Sequence, residues 1–309
     1  MKSIKIKIPA TIANLVCGFD ILGMAINNPY DEMELRILEV PDIIIRHTDD
    51  FGLPEEASKN VAGVVLKKIR EHLNLKNGFE VIIHKNIKPG SGLGSSAASA
   101  AGAAFAANAL LGNILTKEEV LHFAMFGEEL ASGVRHADNI APCIYGGIAL
   151  VKSSHPIDII SLNTPDLFVA AVHPQVEVKT SDARQILKKS ILMKDAVQQW
   201  GNIAGLIAGI EKNDLPLIGR SLNDVIVEPI RSILIPEFNT IKRKSLALGA
   251  LGGGISGSGP SIFMLAEKKE IAEEIAGMMK SIYDRIEIES FVYVSDVNPV
   301  GIIITEQDY

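Results

Sequence analysis

A glycine- and serine-rich run set between two kinds of regular text constrains this chain more than any other feature. Ahead of it, "FEVIIHK" (79–85) reads as a strand. After it, Ala97 to Leu111 is mostly alanine and reads as a helix. Between them lies "KPGSGLGSSAAS", Lys88 to Ser99, with glycines at 90, 92 and 94. The first turn of a helix carries unpaired N–H donors, and its dipole favours negative charge. Glycines let the main chain approach a bulky anion with no Cβ in the way. The hydroxyls of Ser95 and Ser96 would stand at the mouth of such a cradle, facing phosphate oxygens or a cation. The plain alternative is a flexible turn ahead of a packing helix.

Two familiar phosphate templates fail here. A dinucleotide fingerprint starting at Gly90 and Gly92 needs a small apolar residue at 95, which is Ser95. A P-loop needs Lys directly before its Ser or Thr, where this chain has Gly94 or Ser95.

The rest of the chain bounds what the loop can serve. Its 309 residues leave room for two domains, and 47% hydrophobic against 22% charged residues is an ordinary globular mixture. A formal net charge of −7 supplies no basic field for nucleic acid or acidic lipid, so a bound anion must be met by local groups. Cys17 and Cys143 stand far apart in no metal-binding spacing, which fits a reducing compartment. "MKSIKIKIPATIANL" lacks a continuous apolar stretch, so no secretory signal is expected, and no run is apolar enough to span a bilayer. A cytoplasmic protein is the expectation.

Ile4, Ile6 and Ile8 alternate with polar residues and predict a half-buried strand ending at Pro9. "EMELRILEV" and "DIIIRH" predict two more, and Ser58 to Leu73 carries helical spacing. Thr116 with Glu119 forms a capping box for a helix running towards Ser132, and "YGGIALV" returns to strand. The polar, proline-bearing text from Ser153 to Pro165 marks a domain boundary, giving units 1–157 and 158–309. Beyond it come the strand "LFVAAVHP", a helix opened by Thr180, helical text from Ala196 to Ile230, and a helix ending near Leu251. The loop "GGGISGSGPS", the strand "SIFMLA", a helix from Lys269 to about Ile282, and the strands "ESFVYVS" and "GIIIT" close the chain. Strands and helices mingle without regular βαβ alternation, so the class is α+β rather than a doubly wound sheet.

The whole loop, "IKPGSGLGSSAAS", resembles the phosphate motif of the GHMP kinases, and two further segments are similar to motifs of that family. "PATIANLVCGFDILGMAI" (9–26) is similar to the first motif of its homoserine kinase branch, with Ile12, Val16 and Cys17 departing from the usual form. "GGGISGSGPSIF" (252–263) is similar to the third. "GEELASGVRHADNIAPCIYGG" resembles a middle segment of the same branch.

The resemblance implies an N-terminal domain like domain 2 of ribosomal protein S5 and a ferredoxin-like C-terminal domain, with ATP between them. It implies a nucleotide site of Asn60, Pro89, Gly90, Ser91, Gly92, Leu93, Gly94, Ser95, Ser96, Ala97 and Gly257, and a magnesium ion on Ser96 and Glu128. It places Asn14, Asp20, His136, Asn139, Arg184 and Arg231 at an amino-acid substrate, L-homoserine, and puts Thr180 with Asn139, Ser96 and Glu128 in the catalytic group. Two guanidinium forks suit a carboxylate. Asp20 reads either as a partner for the substrate ammonium or as a loop aspartate holding its own turn. An amide at 139 cannot act as a base, so the hydroxyl proton is expected to leave to a phosphate oxygen or to water. Asp138 is set aside in favour of Asn139. Lys85 and Lys88 flank the loop, where exposed lysines are the ordinary case. A homodimer is also implied by the family, whereas nucleic-acid and membrane partners are not expected.

Overall fold

In the computed structural model, residues 2–308 are described, Ser181 by its backbone alone. Strand β1 (Ser3–Ala13) buries Ile4, Ile6 and Ile8 on one face and turns Lys5 and Lys7 outward, as the alternation requires. It does not stop at Pro9. A register shift between Pro9 and Ala10 lets it continue, now buried on both faces, to Ala13. β2 (Leu22–Leu38) is longer than the strand expected from 32–40, because it begins inside the first motif and serves three partners. It pairs with β1 along its length, with β5 (Ile148–Ser154) through Leu22–Met24, and with β4 (Gly78–His84) through Glu32–Leu38. β3 (Ile43–His47) runs parallel to β4, and the crossover between them holds α1 (Val61–His72).

The alanine run becomes α2 (Ser95–Leu110), buried on nearly every side. It lies between the sheet and the helices α1, α3 (Lys117–Ser132) and α4 (Ile140–Tyr145). A helix enclosed in this way has no polar face, and small residues let its neighbours come close. At Gly102 a Cβ would strike Ile8, and at Gly127 of α3 one would lie 2.8 Å from both Ala100 and Val61. The capping box at Thr116 and Glu119 forms as expected.

β6 (Ile157–Leu162) forms a hairpin with β5, and β11 (Ile303–Asp308) returns to pair with β1. The first sheet therefore has seven strands and takes two of them, β6 and β11, from residue 157 onward. The boundary expected at 157/158 falls at the first residue of β6. The polar text there is the turn of a hairpin, and the two sheets interleave along the chain.

The second sheet is four-stranded and antiparallel, in the order β10 (Ser290–Asp296), β7 (Phe168–Pro174), β9 (Ile262–Ala266), β8 (Gly252–Ile255). β8 occupies text expected to be loop. Its glycines permit a close approach, since a Cβ at Gly253 would run into Phe263 and Met264 of β9. Helices α9 (Phe238–Ala247) and α10 (Lys269–Arg285) back this sheet, enclosing a second core around Phe238, Ile275, Met279 and Tyr283. Between β7 and β8 the chain forms α5 (Thr180–Gln185), α6 (Met193–Lys212), α7 (Leu215–Ser221) and α8 (Glu228–Arg231). The architecture is α+β, as the irregular order of elements implied.

Candidate active site

A cleft of about 380 Å³ opens at the N-terminus of α2. Gly94 caps that helix in the left-handed conformation, φ 73°, and makes no side-chain cap. The first-turn donors are therefore not taken up by a capping side chain, as an anion site requires. The two serines at the mouth divide. Ser95 Oγ turns inward and donates to the carbonyl of Ile87 at 2.7 Å, whereas Ser96 Oγ donates to Glu128 Oε2 at 3.1 Å. Only Ser96 presents its hydroxyl beside the carboxylate, so the expectation that both hydroxyls face the anion is corrected.

Pro89, Gly90, Gly92, Gly94, Ser95 and Ser96 line the cleft. Ser91, Leu93 and Ala97 do not: their side chains are buried, Ser91 Oγ accepting from Leu93 N at 3.2 Å while Leu93 and Ala97 join the main core. The third glycine loop braces this one from behind. Ser256 Oγ donates to Gly92 O at 2.7 Å, and a Cβ on Gly92 would lie 2.6 Å from the Ser256 carbonyl oxygen.

Asn14, Asp20, His136, Arg184, Arg231 and Gly257 meet in one connected network. Asn14, at φ 73°, donates to Gly257 O at 2.9 Å and accepts from Asp20 N at 3.0 Å, so its amide braces the loops at both ends. Asp20 receives Arg184 in bidentate fashion, at 2.9 and 3.1 Å, and His136 Nδ1 lies 3.8 Å from the same carboxylate. Arg231 is buried, donating to Ala183 O and Gly257 O at 2.9 and 3.2 Å. Burial, with Arg184 nearby, pulls its pKa down to about 10. The Phe19 ring lies under both guanidiniums, 4.9 Å from Arg231 and 5.5 Å from Arg184. Thr180 sits at the exposed rim with its hydroxyl 3.2 Å from that of Ser258.

Asn60 also lines the cleft, but its side chain is committed elsewhere. It caps α1 by accepting from Ala62 and Gly63, and donates to Pro54 O and His47 Nε2. Asn139 opens α4, accepting from Thr11 Oγ1 at 2.8 Å, and both it and Asp138 line the cleft. Burial, reinforced by Asp20 and Glu128, pushes the Asp138 carboxyl up to about 7. Burial likewise lifts Glu128 to about 7, against hydrogen bonds from Ser96 and Ser132 that favour its charged form. His136 is held below the ordinary histidine range, mainly by burial.

Lys85 corrects the expectation of an exposed strand-end lysine. It is buried beneath the loop, paired with Asp31, and donates to Ser95 O at 2.8 Å and Ser99 Oγ at 3.1 Å. Alternation along β4 shows which of its side chains point inward, but the fate of Lys85, just past its end, depends on Asp31 of β2. Thr11, Phe19 and Asp138 complete the set that motif reading left without a role.

Among the described residues no cluster of three or more His, Cys, Asp or Glu side chains could hold a metal ion. One carboxylate beside one hydroxyl, at a helix N-terminus, fits a hard divalent cation that takes its remaining oxygens from phosphates and water. Among the described residues no helix is long and apolar enough to cross a membrane.

Known proteins are similar to this chain along nearly its full length. Residues 60–147 match the GHMP kinases N terminal domain and residues 206–285 the GHMP kinases C terminal. A homoserine kinase from Chloroherpeton thalassium is 42% identical over 97% of this chain and 99% of its own. One from Chlorobaculum tepidum is 43% identical over 97% and 98%. The crystal structure of homoserine kinase from Cytophaga hutchinsonii superposes with a TM-score of 0.93 at 49% identity, covering 98% of this chain and 97% of that one. With its glycine loop, its Ser96–Glu128 pair and its Asp20–Arg184 pair in one cleft, the chain belongs to the GHMP kinase family and, within it, to the homoserine kinases.

Proposed function

We propose that the protein transfers the γ-phosphoryl group of ATP to the side-chain hydroxyl of L-homoserine, giving ADP and O-phospho-L-homoserine, a step towards threonine. The observation that carries this reading is the juxtaposition, in one cleft, of an uncapped helix N-terminus with an acid–arginine pair. The first group suits a triphosphate. The second suits a zwitterion: the substrate's two charges replace the Asp20–Arg184 contact, the ammonium going to Asp20 and the carboxylate to Arg184, with Arg231 beside it. A substrate lacking the ammonium leaves Asp20 without that partner, which disfavours mevalonate.

The family implies ATP with a divalent metal ion, and we assign magnesium to Ser96 and Glu128. When bound there, the ion neutralises charge on the phosphates. Loop N–H groups meet the charge that builds on the transferring phosphoryl, and the remaining task is to hold the hydroxyl in line. The bond from the hydroxyl oxygen to phosphorus forms as the bond to the bridging oxygen breaks, and that electron pair leaves with ADP. The hydroxyl proton passes to a phosphoryl oxygen or to water. Two buried, free thiols accord with a cytoplasmic setting, and the homodimer implied by the family completes the reading.

Release of ADP from magnesium and ATP, measured with homoserine, with mevalonate and with no acceptor, tests the proposal. Homoserine alone should drive turnover. Turnover with mevalonate only would move the assignment within the superfamily, and none with either would leave a ligand-binding sensor.

A further inference from the structure

Thr11 lies in the half of β1 that is buried on both faces, and its side chain is fully buried. A buried hydroxyl is costly unless it is bonded. Its backbone N–H donates to Leu93 O at 3.1 Å, tying the strand to the phosphate loop. Its hydroxyl donates to Asn139 Oδ1 at 2.8 Å. The contact is packed against the start of α2: a Cβ on Gly94 would run into Thr11 Oγ1 and come within 3.1 Å of Asn139 Oδ1. On its other side Asn139 is held by its own N–H, which donates to Asp138 Oδ1 at 3.1 Å.

The two ends of the Asn139 amide are therefore unlike. The oxygen is engaged by Thr11, whereas among the described residues the Nδ2 group has no protein partner, and the residue lines the cleft. Turning the amide over would direct an N–H at Thr11 Oγ1 and leave the hydroxyl proton without its acceptor in a buried place, which is unfavourable.

We infer that Thr11 is a positioning residue: its hydroxyl holds the Asn139 oxygen away from the reacting groups, so that Asn139 offers the cleft an N–H donor. The inference rests on the kinase reading. Asn139 then donates to an oxygen of the transferring phosphoryl or of the acceptor, and takes no part in removing the hydroxyl proton. Such a donor acts only if its orientation is fixed before the reaction.

Thr11→Val keeps the shape and removes the hydroxyl. It should lower kcat by about ten- to a hundredfold, with KM for ATP and for the acceptor held within about twofold. Thr11→Ser should restore kcat. In a double-mutant cycle, Thr11→Val should add little to the loss in Asn139→Ala. Asn139→Asp should be no better than Asn139→Ala, because a carboxylate there repels the phosphoryl oxygens. Wild-type rates in Thr11→Val, losses that simply multiply in the cycle, or an active Asn139→Asp would each overturn the inference.

The ratios are taken with whichever acceptor the wild-type protein phosphorylates, so a wrong acceptor leaves them readable. A second measurement needs no turnover. The Asn139 side-chain amide signal in a proton–nitrogen correlation spectrum, assigned by its loss in Asn139→Ala, should move in Thr11→Val and stay in Thr11→Ser. An unmoved signal in Thr11→Val would also overturn the inference.

Discussion

Glu128 is a carboxyl group whose surroundings oppose its own charge. Burial raises it to about 7 from an ordinary 4.5, and among the described residues no cationic side chain bonds to it; its carboxylate accepts from the Ser96 hydroxyl. Between pH 4.5 and about 7 the unfolded chain has released this proton while the folded protein retains it. Stability therefore falls as pH rises through that window and levels off above it. Asp138, raised to about 7 from 3.8, adds a second contribution of the same sign. Glu128→Gln should make the metal-free protein more heat-stable at pH 8 and flatten, without abolishing, the decline below pH 7. At fixed magnesium it should lower kcat by roughly a hundredfold. Thermal scans across pH, set beside ADP release, check both. A variant that loses activity and stability together would show Glu128 to be structural rather than a metal ligand.

At the scale of the element, the glycine loop owes its shape to two different constraints. Gly90 and Gly92 both have positive φ, 75° and 82°. A Cβ on Gly90 would meet nothing within 4 Å, whereas on Gly92 it would lie 2.6 Å from Ser256 O and 2.7 Å from Gly259 O. Gly90→Ala should thus carry only the backbone cost, about 1 kcal/mol, and keep most activity. Gly92→Ala must also push the third loop away, and with it Gly257, which accepts from Asn14 and Arg231. It should weaken nucleotide and acceptor binding together, read as a rise in both KM values. Equal effects of the two substitutions would contradict the bracing role of the third loop. Lys85 stabilises the same element from below, its ammonium joining Asp31 of β2 to the first turn of α2.

For the whole molecule, the return of β11 to the first sheet closes the chain on itself. Ile303 and Ile304 are about 40% exposed, so the strand contributes mainly its ladder with β1 and the exposed Lys5–Glu306 pair rather than apolar burial. Ending the chain at Ile302 keeps that buried residue and uncovers the edge of β1, the strand that carries Thr11. The truncated protein should melt at least a few degrees lower and associate more readily through the open edge. Calorimetry and light scattering measure the two effects, and an unchanged melting temperature would show the strand to be dispensable.

Local order is what the amino-acid sequence determined unaided. The period of Ile4, Ile6 and Ile8, the box at Thr116 and Glu119, and the uncapped glycine at 94 before an alanine run rest on contacts within a few residues, so each could be read along the chain. The residues that the resemblance named for the metal and the substrate also came together, because Asn14, Asp20, Glu128, His136, Asn139, Arg184 and Arg231 line one cleft. Tertiary structure alone decided how each is engaged. That Ser95 turns inward while Ser96 turns outward depends on the Ile87 carbonyl and on Glu128 from α3. The burial of Lys85 depends on Asp31, and the orientation of the Asn139 amide depends on Thr11, which is 128 residues distant. Hydrogen-bond partners and desolvation are properties of space around a group, and a chain read in order contains no measure of that space.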